Sequence, residues 1–354
     1  MNTRDHIFSG TKEVDEKLSI NQLNLEEYLK KIFGNKTSID EIKQFKGGQS
    51  NPTYMITTNL GDYVLRRQPP GKLLKSAHAV DREYRVITAL GQTNVPVPKT
   101  YDYCNDENVA GTKFFLMDHV KGNIYWELLL PNLDEISRRQ VYLSMNDTIS
   151  KLHNVDFEKI DLSDYGKHEN YMQRQIYRWT KQYKDSETQE IPEINELISW
   201  LPQNIPLEQE TAIVHGDFRL DNMIFDPETH EVKAILDWEL STLGNPIADF
   251  TYHMMSWRLP AAAKGLGMFG SDLKSLNIPS EDEYSELYYK KTGRNKIENW
   301  DFYMAYNIFR LAGIAQGIVG RVRDGTASSS EAKNYEAFVP ILGKIGWDIV
   351  NGIK

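Results

Sequence analysis

Three polar side chains in one short stretch are of the types that move phosphoryl groups. The segment His215-Gly-Asp217-Phe-Arg219-Leu-Asp221-Asn222-Met-Ile-Phe-Asp226 is followed by Val232-Lys-Ala-Ile-Leu-Asp237-Trp-Glu239. Met223 to Phe225 and Lys233 to Leu236 read as two short strands, joined by the turn residues Asp226 to Glu231. In an antiparallel hairpin centred near Thr229, paired positions sum to about 458, so Asn222 stands opposite Asp237 within one residue of register. Their side-chain oxygens can therefore share a site, and Asp217 lies five residues before Asn222 on a loop. Two hard oxygen ligands beside a carboxylate suit Mg²⁺ and phosphoryl transfer: the ligands leave positions for water and phosphate, and the carboxylate orients and deprotonates a hydroxyl. A lone aspartate in a loop is more often a cap or turn residue. Here order, spacing and residue types all agree with one hairpin.

The elements that must hold these residues follow from periodicity. Leu23, Leu25, Tyr28, Leu29, Ile32 and Phe33 recur at helical spacing, and Gly34 stands where the helix would stop. From Glu41 to Leu65 short extended runs alternate with turn residues at Gly47-Gly48 and Asn59-Leu-Gly61, which reads as a β-meander. Residues 79–90 are helical, with Val80, Tyr84, Ile87 and Leu90 on one face, and apolar runs follow at 100–104 and 113–117. After Val120-Lys-Gly122 the helical period dominates, over 134–153, 170–183, 193–201, 299–322 and 331–350. One β island interrupts it, from Ala212 to Asp237. The first twenty residues lack periodicity and read as a loose arm. The expected organisation is an arm and helix over 1–40, an α+β N-lobe with a small antiparallel sheet over 41–120, and a larger helical C-lobe over 121–354. A cleft between such lobes is a common ligand site.

Composition narrows the partners. The 354 residues are 40% hydrophobic and 26% charged, with 41 Lys plus Arg against 50 Asp plus Glu and a formal net charge of −9. The acidic balance argues against a chain that coats nucleic acid. Cys104, the single cysteine, excludes an intramolecular disulfide and a zinc site built from several thiolates, and points to a reducing compartment, the cytoplasm. The polar start has no apolar signal core, and no run of about 18 apolar residues occurs, so neither secretion nor a membrane partner is expected.

The order His215-Gly-Asp217, Asn222 and Asp237-Trp-Glu239 resembles the aminoglycoside phosphotransferase and choline kinase-like superfamily, related in fold to protein kinases. The resemblance covers most of residues 41–325. It implies a bilobal kinase-like fold, with a nucleotide-binding N-lobe, Asp217 as catalytic base, and Asn222 and Asp237 as Mg²⁺ ligands. ATP is the implied phosphate donor, with GTP as an alternative. In Phe45-Lys-Gly-Gly48-Gln-Ser50-Asn51, glycine permits close backbone approach, and Ser50 or Asn51 could hold a β- or γ-phosphate; a plain hairpin turn is the alternative. Strand alternation in Tyr63-Val64-Leu65-Arg66-Arg67 puts Val64 and Arg66 on one face, Val64 over an adenine and Arg66 toward phosphates. Protein kinases carry lysine there, paired with a helical glutamate; here Arg66 would pair with Glu83, either at the site or as a surface ion pair. The forked guanidinium differs from a lysine's point charge. Phe114-Phe-Leu-Met117-Asp118-His-Val120 corresponds to the hinge, where main-chain groups near Asp118 and Val120 would meet a purine edge. Asp249 would brace the catalytic loop, or stabilise a helix N-terminus.

Acceptor identity belongs to the helical C-lobe. Arg310 interrupts an apolar helix, and a buried arginine needs a carboxylate, a phosphate or a ligand, so it is either a structural salt-bridge partner or a clamp for a substrate anion. Arg219 is a further support candidate. Arg66-Arg67 with Lys72 and Lys75 could assist an anionic group or form a solvated loop. Trp257-Arg-Leu-Pro, the Arg310 helix and the Arg323-Asp-Gly-Thr-Ala-Ser-Ser run resemble the branch of the superfamily also found fused to acyl-CoA dehydrogenases. That branch implies a hydroxy acid or hydroxyacyl-CoA acceptor rather than an aminoglycoside. The expected activity is Mg·ATP-dependent phosphorylation of a small-molecule hydroxyl. A nucleotide-binding pseudokinase with a regulatory role is the alternative. A phosphohydrolase with Asp217 as nucleophile is a weaker one, since no strand-end Asp-x-Asp geometry supports it.

Overall fold

The computed structural model describes residues 9–47, 51–71, 78–207, 210–261, 265–324 and 332–353. In chain order the strands are β1 (Thr11–Lys12), β2 (Ile39–Phe45), β3 (Thr53–Thr58), β4 (Gly61–Arg67), β5 (Thr100–Cys104), β6 (Phe114–Asp118), β7 (Ala212–Val214), β8 (Met223–Phe225), β9 (Val232–Ile235) and β10 (Thr242–Gly244). The helices are α1 (Gln22–Phe33), α2 (Val80–Leu90), α3 (Glu107–Ala110), α4 (Glu135–His153), α5 (Tyr171–Ser186), α6 (Pro192–Trp200), α7 (Pro246–Met254), α8 (Glu281–Thr292), α9 (Trp300–Arg323) and α10 (Ala332–Val350). By compactness they form two units. One comprises residues 1–163, 219–241 and 275–278; the other comprises 164–218, 242–274 and 279–354. The boundary expected near residue 120 falls inside the first unit.

The first unit is built on six antiparallel strands in the order β1-β2-β3-β4-β6-β5. Its alternation separates two faces. Tyr54, Ile56, Leu65, Phe114 and Leu116 bury their side chains with Leu25 and Leu29 of α1. Val64 and Met117, direct partners across β4 and β6, belong to the other face together with Arg66 and Phe115. The α1 helix starts at an Asn21 cap and stops at Gly34, whose φ of +105° only glycine adopts comfortably. The expected loose arm is partly ordered: β1 pairs with β2, and the Leu18 carbonyl accepts hydrogen bonds from Tyr54 and Arg67. Two paired residues are too few to show periodicity, which is why the strand is silent in the sequence.

Arg67 is not part of a phosphate-facing basic run. It points into the core face, 2% exposed, and spends its guanidinium on the carbonyls of Ala110 and Leu18. Lys72 and Lys75 lie outside the described residues. The connector after β6 packs on the β8–β9 hairpin, where Asn123 and Phe225 exchange both backbone hydrogen bonds at 2.8 Å. Gly122 makes this approach possible, because a Cβ there would stand 2.3 Å from the Phe225 carbonyl oxygen.

The second unit is mainly helical. Its α7, α5 and α6 pack against the long α9, and α10 lies along α9 and α6. Strand β10, which the sequence did not signal, pairs antiparallel with β7 and frames the start of the His215 loop. Among the described residues no helix is long and apolar enough to cross a membrane.

Candidate active site

The first unit gathers one set of charged residues. Arg66 on β4 donates from Nε to Glu83 Oε2 at 2.7 Å, and from Nη2 to Asp237 Oδ1 at 2.7 Å. Glu83 lies on α2 and is 1% exposed; Arg66 is 7% exposed. The surface-pair reading of Arg66 and Glu83 is thus excluded. Burial opposes the guanidinium's charge, but Glu83, Asp237 and Glu239 outweigh it, and Arg66 is held cationic well above its ordinary range.

Asp237 closes this set because of its backbone. Leaving β9, it takes φ +63° and ψ +61°, a left-handed conformation that aspartate tolerates better than most residues. The hairpin register matches the arithmetic: Met223 pairs with Ile235 and Ile224 with Ala234, and the Leu236 N–H donates to the Asn222 carbonyl at 2.8 Å. Asn222 and Asp237 therefore stand at the same open end of the β8–β9 ladder. Among the described residues no group of three or more His, Cys, Asp or Glu side chains could cage a metal. One amide oxygen and one carboxylate nevertheless fit Mg²⁺, which keeps several waters and takes one or two protein ligands together with phosphate oxygens.

The other residues expected around a nucleotide are placed as follows. Val64 and Met117 form an apolar cross-strand pair two positions from Arg66 on the same face. Asp118 accepts from the Tyr101 hydroxyl, and its N–H donates to the Lys99 carbonyl at 2.8 Å. Asn51 is fully buried: its Nδ2 donates to Glu83 Oε1 at 2.8 Å and its Oδ1 lies 3.0 Å from His78 Nδ1. It serves Glu83, and is not laid out for a phosphate. Gly48 and Ser50 lie outside the described residues. Arg219 pairs with Asp221 at 2.9 Å, two residues along the same loop.

The second unit holds Asp217 on a tightly built loop. Gly216 adopts φ +82°, open to glycine and strained for other residues. Asp249 on α7 takes the His215 N–H on Oδ2 and the Gly216 N–H on Oδ1, both at 2.8 Å. Arg310 on α9 donates from Nη2 to the Gly216 carbonyl at 2.6 Å. Asp249 is thus a brace and more than a helix-terminus charge, and Arg310 finds a peptide carbonyl where a carboxylate or ligand was expected. The Tyr252 hydroxyl donates to Asp217 Oδ1 at 2.7 Å. Sequence reasoning passed over Tyr252, although it stands three residues after Asp249 and so shares its helix face. His253 is buried, with Nε2 2.9 Å from the Tyr284 hydroxyl. Burial pushes its imidazole down to about 4, against opposing contributions from Asp249 and the Phe218 backbone, so it is neutral at pH 7.

An antiparallel sheet carrying a buried Arg–Glu pair, with a helical second unit bearing a braced aspartate loop, is the fold of kinase-like phosphotransferases. The chain belongs to the phosphotransferase enzyme family, whose model matches residues 41–286. A solved structure of a protein from Ralstonia eutropha, assigned to the aminoglycoside phosphotransferases, is 44% identical, with a TM-score of 0.87 over 95% of this chain and 100% of that one. Spectinomycin phosphotransferase, solved with ADP and spectinomycin, shares the fold at 12% identity and a TM-score of 0.63, over 94% of this chain and 99% of that one. Acyl-CoA dehydrogenase family member 10 of Mus musculus is 44% identical over 96% of this chain and 32% of that protein. Family member 11 of Homo sapiens is 39% identical over 86% of this chain and 39% of that protein. The chain therefore spans roughly a third of the length of the curated relatives it matches.

Proposed function

We propose that the chain transfers the terminal phosphoryl group of Mg·ATP to a hydroxyl of a small molecule. The observation that carries this reading is the open hairpin end, where Asn222 and the left-handed Asp237 offer hard oxygens beside the buried Arg66. Asp217 orients the acceptor hydroxyl and takes its proton as that oxygen bonds to the terminal phosphorus and the bond to the leaving nucleoside diphosphate breaks. Asn222 and Asp237 would hold Mg²⁺, which neutralises charge on the phosphate oxygens when bound. Arg66 adds a fixed cation, Val64 and Met117 supply an apolar bed for the purine, and the Asp118 carbonyl and Val120 amide read its edge.

The acceptor we favour is a hydroxy acid or a hydroxyacyl-CoA. Kinship with acyl-CoA dehydrogenase family members supports an acyl metabolite over an antibiotic. Arg310 does not add to that argument, because it is committed to the Gly216 carbonyl. The buried thiol of Cys104 suits a reducing cytoplasm. The test is a panel of hydroxy acids, hydroxyacyl-CoAs and aminoglycosides incubated with Mg·ATP and read by mass spectrometry. Phosphate gain on a hydroxyacyl compound is expected; gain confined to aminoglycosides overturns the acceptor class, and no gain anywhere overturns the kinase.

A further inference from the structure

We infer that Tyr252, locked in place by Arg310, is the positioning residue for Asp217. The inference rests on the phosphotransferase reading and names what aims its base. Tyr252 is 5% exposed, and its hydroxyl donates to Asp217 Oδ1 at 2.7 Å. The Arg310 guanidinium carbon lies 4.5 Å from the Tyr252 ring centroid and 5.4 Å from that of Trp179, so the cation sits against two aromatic faces. The same guanidinium donates to the Gly216 carbonyl at 2.6 Å. Arg310 therefore grips the loop at the peptide before Asp217 and, through the tyrosine ring, fixes the hydroxyl that holds its carboxylate.

One helical turn completes the grip. Asp249 and Tyr252, at i and i+3 of α7, hold the two preceding backbone N–H groups and the carboxylate respectively. Asn307 ties this turn to α9, donating to the Ala248 carbonyl and Thr251 Oγ1 at 2.9 Å each. The arrangement suits a base. A carboxylate on two rotatable bonds loses aim easily, whereas a hydrogen-bond donor on a rigid helix fixes one oxygen and favours the ionised form.

The test uses the full chain with Tyr252→Phe, which removes the hydroxyl and keeps the ring under Arg310. Mg·ATP turnover with water as acceptor should fall about ten- to hundred-fold in kcat while KM for Mg·ATP stays within about two-fold, because only the base's aim is lost. The acid limb of kcat should move to higher pH, since the carboxylate loses a donor to its charged form. His215, Asp249 and Arg310, which hold the same loop, are retained in this variant. Independently of turnover, the Asp217 carboxyl carbon signal, assigned by its loss in Asp217→Asn, should titrate at higher pH in Tyr252→Phe. Arg310→Lys keeps charge but loses the planar stack, and should show the same kcat-against-KM split; the double variant should be no worse than the worse single one. Unchanged kcat and an unchanged Asp217 titration in both variants overturn the inference. A wild-type protein that neither binds nor hydrolyses Mg·ATP overturns the phosphotransferase reading, and the Asp217 titration then decides the positioning role by itself.

Discussion

Arg66 and Asp237, 171 positions apart in the chain, meet at 2.7 Å through Nη2 and Oδ1. The guanidinium reaches Asp237 without releasing Glu83, because its fork offers Nε to one carboxylate and Nη2 to the other. A lysine at position 66 would have one nitrogen for both. Charge at the hairpin end is therefore tied to α2 through a single side chain.

Removing that side chain should be costly. Arg66→Met leaves Glu83 buried without its cation, and a loss of about 3–5 kcal/mol is expected in urea unfolding. Glu83→Gln, which keeps shape and the acceptor for Asn51, should cost clearly less. Equal losses would show that the pair's charge is irrelevant to the fold.

Asp249→Asn supplies one amide oxygen for two backbone donors and turns an NH₂ toward one of them. About 1–3 kcal/mol of stability should be lost. Turnover should fall with little change in KM for Mg·ATP, because the His215–Asp217 loop alone is loosened. A variant with wild-type kcat would show that the loop holds its shape without the brace.

Gly122→Ala should destabilise the first unit by about 1–3 kcal/mol through overpacking. Its Cβ would meet the Phe225 carbonyl at 2.3 Å and the Ile224 side chain at 2.6 Å, so backbone must shift. A melting temperature within error of wild type would contradict the close approach.

Acid should weaken the fold through His253. Its pKa is about 4 in the folded chain and near 6.5 in the open one, so between these values the unfolded state binds the extra proton. Stability is full above that window and falls as pH drops through it, by about 3 kcal/mol at most. His253→Gln should flatten this part of the pH dependence; the same slope in wild type and variant would assign it to other groups.

Much of this was legible in the sequence, for identifiable reasons. The Asn222–Asp237 juxtaposition could be computed because a turn-rich hairpin admits few registers, and Met223 does pair with Ile235. Alternation in β4 likewise fixed Arg66 on the face away from the α1 core. Partners reached through tertiary packing were not legible. Arg310 in an apolar helix signalled burial, but nothing local said that it would hold the Gly216 carbonyl. Tyr252 reads as one more core aromatic until Asp217 is seen beneath its hydroxyl. Asn51 looked suited to a phosphate, yet its amide is consumed by Glu83 and His78. Local pattern reports which face a residue occupies; what it meets there depends on elements far along the chain.

The most direct test of the central claim compares wild type with Asp217→Asn in Mg·ATP, reading the melting temperature and phosphorylated product together. A shift in both proteins, with product from wild type alone, is the expected result. No shift in either protein, or product from the variant at the wild-type rate, would contradict it.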